Sequence, residues 1–133
     1  MKDASAGMVF SYGSGQRCGG VFSLVVDTFL GVDIRCTILE TRAPKGNEPT
    51  ILVVSYDGKA GQVFANGEEV LNETAHLVTS RIYGNKLGAY FMGTNQYFQG
   101  EIAEFIGFEK SLSAVERMAL ESYLSSKFGI PLK

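Results

Sequence analysis

Gly100-Glu101-Ile102-Ala103-Glu104-Phe105-Ile106-Gly107-Phe108, with Ser111-Leu112-Ser113-Ala114-Val115-Glu116-Arg117 close behind it, decides the reading of this chain. The first stretch places Ile102, Glu104, Ile106 and Phe108 on one face at the two-residue period of a strand, and reads as a buried strand. The second reads as a capped helix start, with Ser113 and Glu116 at the spacing of a capping box. One late strand and one closing helix, after a series of short strands, predict a β-sandwich.

Upstream, period-two alternation dominates. Met8–Tyr12, Val21–Asp27 and Val32–Leu39 are expected strands, the last two joined by a short turn over Thr28–Gly31. Ile51–Tyr56 is apolar on both faces, which suits the middle of a sheet. Asp57-Gly58-Lys59-Ala60-Gly61 carries turn chemistry, Gln62–Ala65 returns, and Asn66-Gly67 is a strong hairpin signal with Glu69–Leu71 as partner strand. Ala75–Thr79 and Gly88–Met92 are further expected strands. Ser80–Leu87 and Gly93–Gln99 read as polar loops.

The helix is expected to carry its apolar stripe on Leu120, Tyr123, Leu124 and Phe128, facing inward. Gly129 fits the left-handed position after the helix, and Pro131 prevents continuation.

The 133 residues suit one domain spanning 1–133. A hydrophobic fraction of 45% with 20% charged residues argues against disorder. A net charge of −2 supplies no basic field for nucleic acid. No apolar run reaches the roughly 20 residues of a membrane-spanning helix, so membrane insertion is not expected. Met1–Gly7 leads into only a short apolar piece and does not read as a secretory signal. The expectation is a protein that stays inside the cell or a piece excised from a longer one; the compartment stays open. Two cysteines are too few for a disulfide framework. Cys36 reads as a small buried hydrophobe, Cys18 sits in a glycine-rich loop, and a bridge between them stays open.

Two segments resemble laminin-G-like jelly rolls of the concanavalin A-like lectin/glucanase superfamily. Ile51-Leu52-Val53-Val54-Ser55-Tyr56-Asp57-Gly58, continuing to Val63-Phe64-Ala65-Asn66-Gly67-Glu68-Glu69-Val70, resembles that family's "V-x-Y-D-G…x-x-V-N-G" hairpin. The late strand, the Leu112-Ser113 helix start and Tyr123-Leu124-Ser125-Ser126-Lys127-Phe128-Gly129-Ile130 are similar to its "Y-L-x-x-K-[FY]-G-I" close. The likeness covers roughly Met8 to Ile130. It implies an all-β, two-layer antiparallel jelly-roll sandwich with one C-terminal α-helix. Against that pattern the chain begins partway into the module, as though lacking the first strands, and it has no tryptophan. Missing strands leave an edge or core face open, so a homo-oligomer that covers the gap is expected. Related modules are often extracellular or on cell surfaces.

The resemblance implies a non-catalytic recognition module for a carbohydrate or glycoprotein. Glycans are held by aromatic faces with amide and carboxylate hydrogen bonds. Tyr83 and Asn85 in one late loop, Asn95, Gln96 and Tyr97 in the other, and Arg17 in the first loop supply such groups. The competing reading is ordinary polar loops whose aromatics cap the core. Glu104, sharing a face with Ile102, Ile106 and Phe108, is a candidate buried acid, structural or functional. The resemblance also makes calcium a candidate cofactor, although Asp27, Asp33 and Asp57 form no EF-hand-like run and no ligand set is named.

The alternative class is a structural or assembly protein completed by its own oligomerisation, and the third is a glycoside hydrolase. Glu101 and Glu104 are an odd number of residues apart, so on a strand they point to opposite faces and do not flank one glycosidic bond. His76 is the sole imidazole and no triad spacing can be read from it. Gly13–Gly19 is followed by a strand rather than the helix N-terminus a phosphate loop needs. Asn72-Glu73-Thr74 is a sequon best explained by chance.

Overall fold

The computed structural model describes residues 7–13, 22–26, 30–34, 37–41, 48–74, 84–89 and 97–133. Among them the chain is built of β-strands with one C-terminal helix. The elements are β1 (Gly7–Gly13), β2 (Phe22–Val26), β3 (Leu30–Ile34), β4 (Thr37–Glu40), β5 (Leu52–Tyr56), β6 (Ala60–Ala65), β7 (Glu68–Thr74), β8 (Gly84–Leu87) and α1 (Ala114–Phe128). The chain divides into two compact units. The first comprises Met1–Lys45 and Leu77–Ala103, the second Gly46–His76 and Glu104–Lys133.

In the first unit five antiparallel strands run in the order β4-β3-β2-β1-β8. Consecutive strands β1 to β4 form a meander, and β8 adds on the free side of β1. Met8 pairs with Val25 but Phe10 with Leu24, so Val9 is an extra residue in β1. Such a bulge changes which residues share a face. By register Met8 and Ser11 fall on the face of Val25 and Ser23, and Phe10 and Tyr12 on the other. On the first of these faces Met8, Ser11 and Ser23 are enclosed, and on the other Leu24 is buried. The Ser11 hydroxyl donates to the Ala89 carbonyl at 2.9 Å. The Ser23 hydroxyl, opposite Ser11, has no hydrogen-bond partner among the described residues. Beyond the end of β8, Tyr97 forms a parallel bridge to Met8. A Cβ on Gly7 would stand 3.0 Å from the Phe98 Cα and 3.1 Å from the Tyr97 carbonyl oxygen, so a larger residue here would have to push that backbone back by a few tenths of an ångström.

The second unit holds a three-stranded antiparallel sheet in the order β5-β6-β7. Its first turn closes on Asp57, whose Oδ1 accepts the Lys59 and Ala60 amides, each at 2.8 Å, with Gly58 at φ +94°. Its second turn is Asn66-Gly67, with φ +50° and +88° between the paired residues Ala65 and Glu68. Two consecutive positive φ values make a primed hairpin turn, whose twist matches that of the flanking strands. Val63, Phe64, Ala65, Val70 and Leu71 are buried, joined by Ile51 and Ile130. The outer edge of β7 shows Glu68, Glu69 and Glu73 to solvent, which guards against further strand pairing.

Helix α1 starts as its sequence indicates. The Glu116 amide donates to the Ser113 hydroxyl at 3.2 Å, and the Glu116 carboxylate accepts the Ser113 amide at 2.8 Å. It ends at Gly129 in the left-handed region, with the Gly129 and Ile130 amides both donating to the Ser125 carbonyl and Ile130 buried.

Several expectations are corrected. Residues 101–108 form no strand, and Phe105, Ile106 and Phe108 stand exposed. Alternation there marks extended chain, and alternation alone does not tell whether a neighbour pairs with it. The single strand expected over Val32–Leu39 is two, β3 and β4, which pair with each other from Gly31–Glu40 to Ile34–Thr37. Part of the expected loop Ser80–Leu87 is β8, where Lys86 and Asn85 sit at an open sheet edge and hide its strand character. Strand β5 lies at the edge of its sheet, and β6 is central. On α1 the most buried residue is Glu121, 1% exposed, while Tyr123 and Phe128 face solvent. Tyr123 lies two positions from Glu121, on the far side of the helix, and Phe128 is in the last turn. The expected strand Ala75–Thr79 and the positions of Cys18, Cys36 and His76 lie outside the described residues.

Asn66 gives a direct test of the second unit. Its Oδ1 accepts the amide of buried Ile51 at 2.8 Å, and its own amide donates to the Ile51 carbonyl at 2.9 Å. Asn66→Gly keeps the turn but strands the Ile51 amide, and is expected to cost about 1–3 kcal/mol in urea denaturation. Asn66→Ala loses the same bond and adds left-handed strain of roughly 1–2 kcal/mol, so it should be the less stable of the pair.

Candidate functional site

The described part of the recognition surface expected from the sequence lies along β1. The backbone builds it. The Gly88 amide donates to the Val9 carbonyl at 2.8 Å, and the Phe98 amide to the Gly88 carbonyl at 2.9 Å, so Gly88 links β1 to the residue that follows Tyr97. This fixes Tyr97 beside Met8 with the tyrosine 59% exposed. Asn85, also exposed, stands opposite Tyr12 in β8. The two flank the same side of β1, four residues apart along it, roughly 13 Å at the rise of a strand. The bulge at Val9 puts their β1 partners on opposite faces, so Asn85 and Tyr97 do not converge on one face by register. Arg17, Tyr83, Asn95 and Gln96 lie outside the described residues.

Glu104 is corrected: it is exposed, not a buried acid. With no strand at 101–108, no sheet face encloses it. Its carboxylate pairs with the Lys127 ammonium at 3.1 Å, and Lys127 also donates to the Tyr123 hydroxyl at 3.2 Å. The Glu104 carboxylate foremost, and the Tyr123 hydroxyl with it, hold Lys127 above the ordinary lysine range. A pair so placed in solvent contributes little to stability. Next to it, Ala119, Ser122, Tyr123, Ser126 and Lys127 line a shallow open depression on α1.

Of the acids considered for calcium, the Asp57 Oδ1 is already engaged by two turn amides. Among the described residues no three His, Cys, Asp or Glu side chains gather as a metal site. Among them, too, no helix is long and apolar enough to cross a membrane.

One charged pair was not singled out in the sequence. Arg117 donates to Glu121 at 2.5 Å, with the carboxylate enclosed and the guanidinium largely so, and Arg117 lies 3.8 Å over the Phe64 ring. The signal was present as an arginine and a glutamate four apart on one helix. That spacing is common on solvated helix faces, which is why it gives no hint of burial.

No protein-family description and no curated protein matches the chain. A 2.1 Å crystal structure of an S-layer domain-containing protein (residues 221–444) from Clostridium thermocellum is similar to it, with 18% identity, a TM-score of 0.46, and coverage of 91% of this chain and 65% of that one. The chain therefore spans just under two thirds of that solved segment's length.

The turn and cap carboxylates have a defined acid response. The Ala60 and Lys59 amides hold Asp57 below the usual carboxylate range, and the Ser113 amide and hydroxyl, then Lys110, do the same for Glu116. A depressed folded pKa contributes stability that is complete above the unfolded value and lost as pH falls through the folded one. Carboxyl carbon NMR is expected to show both residues titrating below 3.8 and 4.5 respectively. Ser113→Ala should return Glu116 toward its ordinary value.

Proposed function

We propose that this chain is a non-catalytic recognition module of the laminin-G-like jelly-roll kind, and that its ligand is a carbohydrate or a glycosylated protein surface. The observation that carries this reading is Tyr97: an exposed aromatic held beside β1 by backbone hydrogen bonds on both sides of Gly88. A sugar ring stacks on such a face at low entropic cost because the scaffold already fixes it. Asn85 adds an amide on the same strand edge, suited to hydroxyl groups farther along the ligand. The sequence likeness is supported where it is most specific. Tyr56-Asp57-Gly58 and Asn66-Gly67 both stand at turns, and Phe128-Gly129-Ile130 closes the helix. Arg17, Tyr83, Asn95 and Gln96 complete the proposed surface.

A second reading, an assembly protein completed by further copies of itself, draws on Phe105, Ile106 and Phe108, which are exposed within four consecutive residues of the second unit. Light scattering tests this reading, which requires an oligomer that Phe105→Ser with Phe108→Ser dissociates.

A glycan array probed with the intact chain is expected to give bound structures. Tyr97→Ala and Tyr83→Ala should each weaken binding roughly two- to tenfold, the range of an aromatic contact worth about 0.5–1.5 kcal/mol. Unchanged binding in both variants would remove the proposed surface.

A further inference from the structure

We infer that Arg117 and Glu121 form a proton-sensitive latch between α1 and the β5-β6-β7 sheet, which grips more tightly in mildly acidic solution than at neutral pH. The geometry is specific. Glu121 is the most enclosed side chain of the helix at 1% exposure, and only one of its oxygens is bonded. Oε2 accepts the Arg117 guanidinium, whereas Oε1 is buried with no hydrogen-bond partner among the described residues. A carboxylate in water is hydrated at both oxygens, so the ionised form gives up more solvation here than one arginine contact returns. Arg117 does not lie free to compensate, because its guanidinium is stacked on the Phe64 ring of β6.

The charged groups facing Glu121 are few. Among the described residues Arg117, one turn earlier on the same helix, is the one charged group acting on it, and β6 presents the Phe64 ring to that pair. Burial outweighs the arginine, and the Glu121 carboxyl is raised above its ordinary 4.5. The direction of the pH response follows. Between 4.5 and the raised folded value the native state binds a proton that the unfolded state has released. Stability therefore rises as pH falls through the folded value and levels off below the unfolded one. This runs opposite to Asp57 and Glu116, whose depressed values place their losses at lower pH.

The decisive experiment needs no variant: carboxyl carbon NMR of the intact protein, with Glu121 expected to titrate above 4.5. Each unit of displacement corresponds to a tenfold gain in the folding constant on acidification. Urea midpoints between pH 7 and pH 5 should rise for the natural sequence and stay level for Glu121→Gln. Amide exchange across α1, corrected for intrinsic rates, should slow over the same interval. A Glu121 midpoint at or below 4.5, or a Glu121→Gln protein that keeps the full rise, would overturn the latch.

Discussion

Asn66 is the constraint on which the second unit depends. Its left-handed backbone turns the chain from β6 into β7, its side chain and amide together grip both backbone groups of Ile51, and its carbonyl accepts the Lys133 amide at 2.8 Å. One residue thus joins the start of the sheet, its tightest turn and the segment after the helix. Asparagine suits the position for two separate reasons. It tolerates positive φ better than other residues with a Cβ, and its short amide reaches backbone that a longer side chain would overshoot. Gly67 beside it supplies the second positive φ and leaves room for Leu132 and Lys133.

The helix is held differently from an ordinary amphipathic helix. Its two ends are fixed by hydrogen bonds close in sequence, Ser113 with Glu116 and Ser125 with Ile130. Its middle turns a charged residue inward. Leu120 and Leu124 are half-buried on either side of Glu121, so apolar burial contributes, but the deepest contact is the carboxylate with Arg117 and the arginine with Phe64. A buried pair of this kind is a poor source of net stability and a sensitive one, because removing either member leaves the other charge enclosed and uncompensated.

What could be read from the sequence follows the range of the forces involved. Asn66-Gly67, the Asp57-Gly58 turn, the Ser113–Glu116 cap and the Gly129 stop were all legible, since each is decided by backbone geometry within a few residues. The division of Val32–Leu39 into β3 and β4 was not, because alternation is the same in a continuous strand and in a tight hairpin. The edge position of β5 and the existence of β8 depend on which distant segment pairs with them, and local pattern carries no such information. The late stretch from Gly100 failed for the same reason: Ile102, Ile106 and Phe108 have the spacing of a strand, but no strand pairs with them among the described residues. Of the residues proposed for recognition, Tyr97 and Asn85 are exposed. Their common strand edge became visible only through the register of β1.

On the proposed reading this edge serves recognition rather than chemistry. Bond-making carboxylates must meet one reacting centre from fixed distances, which requires two acids on one surface. Glu104 is instead an exposed partner of Lys127, and the deeply enclosed acid, Glu121, has its bonded oxygen committed to Arg117. Neither is presented to a substrate beside an unengaged second acid in the described structure. An exposed ring and an amide spaced along a rigid strand need no such convergence, because binding energy accumulates over an extended ligand from separate modest contacts. On the proposed reading the bulge at Val9 matters here: by changing the face on which successive groups emerge, it would let one strand edge address a ligand from both of its sides.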